Sequence, residues 1–126
     1  MVVDDESDVT SIIKKGLEME GFKVDTFNDP LEAKAHFKEG TYDLVLLDIR
    51  MTPINGFELY RELLKVDNKV RVCFITAFEI YYDEFRRVFP KLHVDCFVRK
   101  PVRMDSLAKI IRKELEVVEA QVKSNE

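Results

Sequence analysis

The strongest constraint in this chain is Leu44-Val45-Leu46-Leu47, an unbroken apolar run that stops abruptly at Asp48. A strand with one wet face alternates polar and apolar residues. A run without alternation is expected of a strand buried on both faces, as in a parallel sheet covered by helices on each side. The rest of the chain fits that reading. Met1 to Val3 is a short apolar start ending in Asp4-Asp5. Ser7 to Glu20 carries Val9, Ile12, Ile13 and Leu17 at helical spacing, with Gly21 as its stop. Phe22 to Phe27 alternates as a half-exposed strand. Asn28-Asp29-Pro30 is a helix start, a capping side chain followed by proline in the first turn, and that helix is expected to run to about Glu39.

After Asp48, a loop through Thr52, Pro53, Asn55 and Gly56 leads to a helix from about Phe57 to Lys65. Val70 to Ile75 reads as a strand ending at Thr76, Glu79 to Phe89 as a helix stopped by Pro90, and Val94 to Val98 as a fifth strand followed by Arg99-Lys100-Pro101. Asp105 to about Val122 is a last helix with Leu107, Ile111, Leu115, Val118 and Val122 along one stripe. The order is (βα) five times. Strands separated by helices of this length pair in parallel through right-handed crossovers. The expected fold is a three-layer α/β doubly wound sheet, in one domain spanning residues 1–126.

Composition supports one core and removes several classes. With 46% apolar and 35% charged residues in 126, the chain can fill a core and solvate its surface. No apolar run approaches the roughly 18 to 20 residues that span a bilayer. The acidic start MVVDDESD is not a signal peptide. A net charge of −4 makes a poor nucleic-acid binder, since that binding runs on Lys/Arg contacts to phosphate. Cys73 and Cys96 form no framework, so reduced core thiols and a cytoplasmic location are expected. His36 and His93 have no partner at a metal-ligand spacing and read as surface residues.

Open parallel sheets place their sites at the carboxyl ends of the strands, near the point where strand order reverses. Here those ends carry Asp4-Asp5, Asp48, Thr76 and Lys100, while the second strand ends in Phe27-Asn28 with no obvious chemical group. In strand order 2-1-3-4-5 that second strand is the outer one, and the four polar-ended strands face one crevice. Three carboxylates there repel each other, by about 4 kcal/mol per pair at about 4 Å and an effective dielectric near 20. Lys100 offsets one charge, and a divalent ion would offset two more. All-oxygen ligands without His or Cys point to Mg²⁺.

These residues, in this order, resemble the receiver domain of two-component response regulators. The likeness covers essentially the whole chain. It is carried by Val2-Val3-Asp4-Asp5-Glu6, by Leu47-Asp48-Ile49-Arg50-Met51 with Gly56 eight residues after the aspartate, by Thr76-Ala77 and by Lys100-Pro101. The resemblance implies that Asp48 is the phosphoacceptor, forming an acyl phosphate. It implies that Asp5, Asp48 and the Arg50 backbone carbonyl ligate Mg²⁺, and that Asp4 holds the ion through water. Lys100 would pair with the phosphoryl group, the Thr76 hydroxyl would swing to a phosphoryl oxygen, and Phe97 would be the aromatic switch. Pro101 is expected to follow a cis bond. In receivers the positions of Arg50 and Phe78 flank the path of the attacking water, so the resemblance implies that these two bulky residues slow loss of the phosphoryl group.

The implied activity is that of a regulator rather than an enzyme, assisting only its own phosphorylation and dephosphorylation. The phosphoryl donor would be a histidine kinase or phosphotransfer protein. A downstream protein partner would read the surface of the fourth helix, fifth strand and last helix (α4-β5-α5), with a homodimer possible along the last helix. Tyr81, Tyr82, Phe85 and Phe89 exceed what one core face needs and suggest a partner surface.

Three departures stand out. Only about three residues remain for the first strand, which suggests a segment upstream of Met1. Met51-Thr52-Pro53 puts proline one place late, and Phe97 replaces the commoner tyrosine. The main alternative is a non-phosphorylated pseudo-receiver acting as an adaptor, against which the full acidic, hydroxyl and lysine set stands. A phosphatase with an aspartate nucleophile would need a second acid where Arg50 stands, and a flavodoxin would not place Asp4-Asp5-Glu6 against a phosphate.

Overall fold

The computed structural model describes residues 1–77, 83, 86–87 and 96–124, with side chains up to residue 116. The elements are β1 (Val2–Val3), α1 (Ser7–Met19), β2 (Thr26–Phe27), α2 (Pro30–His36), β3 (Leu44–Asp48), α3 (Gly56–Val66), β4 (Arg71–Thr76), β5 (Phe97–Arg99) and a C-terminal helix (Met104–Ser124). The five strands form one parallel sheet in the order β2-β1-β3-β4-β5.

Burial on β3 and β4 follows the pleat. Val45, Leu47, Val72 and Phe74 pack with Ala33 of α2 and with Phe57, Leu59, Tyr60 and Leu63 of α3. Leu44, Leu46, Cys73 and Ile75 pack on the other face, with Ile13 and Leu17 of α1 and Leu107, Ala108 and Ile111 of the C-terminal helix. Both faces are therefore dry, which is why the β3 run does not alternate.

Helix ends follow local chemistry. α1 closes in a Schellman arrangement: Phe22 N–H donates to Leu17 O at 3.1 Å and Gly21 N–H to Glu18 O at 3.1 Å, with Gly21 at φ +94°. Asp29 caps α2 by accepting from Leu31 N–H, and Asn55 with Glu58 forms a full capping box on α3.

Several expectations shift. α2 ends at His36 rather than near Glu39, because Phe37 turns to an extended backbone (φ −72°, ψ 128°). That turn buries its ring in the core, stacked on Tyr42 at 6.1 Å. β2 pairs over only two residues because its sole partner, β1, has only two: Val2 with Thr26 and Val3 with Phe27. A cavity of about 580 Å³ lies at the amino-terminal end of β1, lined by Met1, Phe22, Val24, Tyr42, Leu44 and Ile111 among others. There the Met1 ammonium donates to Leu44 O at 3.0 Å, and burial lowers its pKa to about 6 against the pull of Asp25 and Asp43. The four aromatics expected on the fourth helix, together with Phe78, Pro90, His93 and Val94, lie outside the described residues.

The reading of Cys73 and Cys96 as reduced thiols is overturned. The two are joined in a disulfide. The β4–β5 register pairs Phe74 with Phe97, so one residue earlier the two cysteines face each other across adjacent strands. Their Cα atoms are 4.6 Å apart, a separation a disulfide bridges.

Candidate functional site

The carboxyl edge of the sheet gathers the strand-end residues. β1 delivers Asp4, fully buried, and exposed Asp5 just beyond it; β3 ends in buried Asp48 and β4 in buried Thr76. Lys100 follows β5, and its backbone N–H donates to Thr76 O at 2.7 Å, which fixes its stem against β4. The Lys100 ammonium reaches back across the edge. Its Nζ lies 2.6 Å from Asp4 Oδ2, 3.7 Å from Asp48 Oδ1 and 3.9 Å from Glu6 Oε1.

One ammonium thus faces three carboxylates. Burial, then the Asp4 charge, pushes the Asp48 pKa up to about 7, and Lys100 only partly opposes this. Burial weakens the Lys100 charge, but the Asp4 hydrogen bond and the neighbouring carboxylates outweigh it and hold the ammonium above its ordinary range. Among the described ion pairs at this edge, that one ammonium is shared by three carboxylates. Asp4, Asp5 and Glu6 each offer a carboxylate oxygen within 4.8 Å of the others. This all-oxygen set, with Asp48 beside it and no His or Cys, fits Mg²⁺ in type of donor.

The backbone around Asp48 is tightly held. Ile49 N–H donates to Ile75 O at 3.2 Å, and Gly56 N–H donates to Ile49 O at 2.8 Å. A Cβ on Gly56 would collide with the Asp48 carbonyl oxygen and crowd Ile49 Cα. Glycine is therefore required for α3 to start this close to the β3 end. Arg50 is exposed, and Phe97 is half-buried with its ring stacked on Phe74 at 5.4 Å. The Lys100–Pro101 bond is cis, in line with the resemblance, and so is Thr52–Pro53.

Two contributors escaped the sequence reading. Glu6 joins the acidic group, a role its place directly after Asp4-Asp5 could have signalled. Asn28, at the end of the strand judged chemically empty, donates from Nδ2 to Asp4 O at 2.8 Å and to Thr10 Oγ1 at 3.0 Å. Thr10 in turn donates to Ser7 O at 3.1 Å. This chain of bonds pins the backbone that carries Asp4.

The sequence matches the family model of the response regulator receiver domain over residues 1–112. The chain belongs to the response regulator receiver family. A receiver from the response regulator TrrA of Thermotoga maritima, solved in complex with Mg²⁺ and beryllofluoride, superposes with a TM-score of 0.76 at 32% identity, covering 90% of this chain and 95% of that one. A CheY-like receiver from Methanospirillum hungatei JF-1 has the same fold, with a TM-score of 0.84 at 24% identity over 95% and 94% of the two chains. Among curated relatives, the CpxR homolog of Haemophilus influenzae is 44% identical over 77 residues, which is 61% of this chain and 33% of that protein. The transcriptional regulatory protein YkoG of Bacillus subtilis is 30% identical over 112 residues, 89% of this chain and 48% of that protein. This receiver spans a third to about half the length of the curated relatives it matches. The family is a regulatory one. No described helix is long and apolar enough to cross a membrane.

Proposed function

We propose that this receiver, as one domain over residues 1–126, takes a phosphoryl group on the Asp48 carboxylate from a histidine kinase or phosphotransfer protein and in response switches its surface to bind a protein partner in the cytoplasm. The observation that carries this reading is the 3.7 Å approach of Lys100 Nζ to Asp48 Oδ1 at an edge where the same ammonium also faces Asp4 and Glu6. An Asp48 oxygen attacks the phosphorus of a phosphohistidine donor. The new O–P bond forms as the P–N bond breaks, and the donor imidazole leaves with its electron pair. Asp48 must be unprotonated to attack, and the Lys100 charge favours that form. Mg²⁺, held by Asp5, Asp48 and the Arg50 carbonyl with Asp4 acting through water, would supply charge neutralisation for the equatorial oxygens.

Phosphorylation adds an anion near −2 where the edge already carries excess negative charge. Lys100 is a cation of the protein within reach of it. The Thr76 hydroxyl lies one residue beyond Ile75, the register partner of Asp48. In this reading Thr76 moves to the new oxygen, and Phe97 turns into the space left. The face around β5, the segment between β4 and β5, and the C-terminal helix then changes shape for a partner or a second copy.

Incubation with Mg²⁺ and acetyl phosphate or phosphoramidate, read by intact mass, tests this directly. The expected result is a gain of one phosphoryl group that is absent in Asp48→Asn. A gain that persists in Asp48→Asn, or no gain in the parent protein, rejects the assignment and favours the adaptor alternative.

A further inference from the structure

Cys73 and Cys96 sit where the proposed switch has its moving parts. Thr76 lies three residues beyond Cys73 on β4, and Phe97 directly follows Cys96. The disulfide closes a segment with a sequence separation of 23, and Thr76 lies within it. Both cysteines are buried, with Ile75, Val98 and Leu107 in the same cluster. The strands they join are also tied by Phe74 N–H donating to Cys96 O at 2.8 Å.

β5 is an edge strand, paired among the described residues over Phe97 to Arg99. Edge pairings open at lower free energy than central ones, and opening is what would expose the buried sulfurs to a small reagent. A single internal disulfide in a chain that otherwise needs no framework fits a redox-sensing bond better than a scaffold.

We propose that Cys73 and Cys96 form a redox modification site whose disulfide ties β5 to β4 and thereby resists the Thr76–Phe97 rearrangement, so that oxidation weakens the response to phosphorylation. The proposal rests on the reading of Asp48 as phosphoacceptor. The oxidant is hydrogen peroxide. One thiolate attacks the peroxide oxygen and the O–O bond breaks, giving a sulfenic acid and water. The second thiol then attacks that sulfur and releases another water. Two electrons pass from the sulfurs to the peroxide, and both thiol protons end in water. Reduction returns two thiols at the expense of a dithiol. Because coupling is reciprocal, the activated form should also shift the equilibrium between the disulfide and the two thiols toward the thiols.

The test uses the intact chain in two forms, one treated with hydrogen peroxide and one reduced with a phosphine. Intact mass distinguishes them by two hydrogens. Affinity for beryllofluoride with Mg²⁺, and the extent of phosphorylation by acetyl phosphate, are then measured on each. The oxidised form is expected to bind beryllofluoride about tenfold more weakly. The Cys73→Ala/Cys96→Ala variant should match the reduced form under both treatments. The reduced parent serves the same comparison without any substitution. Equal affinities in the two forms overturn the proposal while leaving the Asp48 reading intact, as does failure of the folded protein to form the bond. Failure of both forms to take a phosphoryl group or beryllofluoride rejects the Asp48 reading, and the coupling with it.

Discussion

Lys100 Nζ lies 2.6 Å from Asp4 Oδ2, while its distance to Asp48 is 3.7 Å. The shorter ion pair therefore joins the residues that directly follow β1 and β5, across a separation of 96 residues. Asp4 Oδ1 accepts the Glu6 N–H at 3.0 Å, so the buried carboxylate is held on both oxygens. Asp4 orders the lysine that the phosphoryl group is proposed to recruit.

Removing that lysine should destabilise the domain as well as silence it. Lys100→Met leaves Asp4 buried and without its ammonium, and breaking a buried pair from one side typically loses about 3 kcal/mol or more. Urea unfolding at neutral pH should show that loss. Lys100→Met/Asp4→Asn, which removes the orphaned charge, should recover part of it. An unchanged unfolding midpoint in Lys100→Met would show that Asp4 finds another partner.

The raised pKa of Asp48 sets a pH dependence with a definite sign. The folded carboxyl holds its proton to about 7, whereas the ordinary value is 3.8. Between those values the native state binds more protons than the unfolded state, so stability falls as pH rises through that window. Asp48→Asn should remove this part of the slope. Protons and Mg²⁺ compete for the same oxygens, so Mg²⁺ affinity should drop by up to about tenfold per pH unit below 7. Calorimetric titrations at pH 5.5, 6.5 and 7.5 measure it; a pH-independent affinity would remove Asp48 from the ligand set.

The site was legible in the sequence where an apolar run ends in a polar residue, because chain direction puts every parallel strand end on one edge. That logic located Asp4, Asp5, Asp48, Thr76 and Lys100 at that edge before any coordinates. It failed for Asn28, whose partner is a backbone carbonyl 24 residues away, a contact with no residue-type signature. It failed for Cys73 and Cys96, because their pairing follows from β4–β5 register, which spacing along the chain does not reveal. The end of α2 was misplaced for a related reason: burying Phe37 outweighed continuing an exposed turn whose residues all favoured a helix.

Asn28→Ala should loosen the acidic edge without touching any carboxylate. It deletes two hydrogen bonds and leaves the Asp4 carbonyl and Thr10 hydroxyl short of a donor. A loss of about 1 to 2 kcal/mol in stability is expected. Weaker Mg²⁺ binding should accompany it, since the backbone that aims Asp4 and Asp5 is less restrained. Asn28→Asp would put a carboxylate beside the Asp4 carbonyl oxygen and should be worse. If Asn28→Ala matched the parent protein in both thermal unfolding and Mg²⁺ affinity, the clamp would have no role in the site.

Gly56→Ala tests how closely α3 must approach the end of β3 that carries Asp48. The added methyl meets the Asp48 carbonyl oxygen and Ile49 Cα, both backbone atoms fixed by β3 pairing and by the Gly56 N–H bond to Ile49 O. No flexible side-chain end is available to yield, so the α3 start or the loop after Asp48 must shift. Overpacking of this kind typically loses about 1 to 3 kcal/mol. Displacing that loop also moves the Arg50 carbonyl and Asp48 together, so phosphorylation by acetyl phosphate should slow. A control change at Glu58, which caps α3 by accepting the Asn55 N–H but does not press on β3, separates the two effects. Glu58→Ala should lower stability through the helix end while leaving the phosphorylation rate near that of the parent. Equal rates for Gly56→Ala and Glu58→Ala would mean that the close approach serves packing alone.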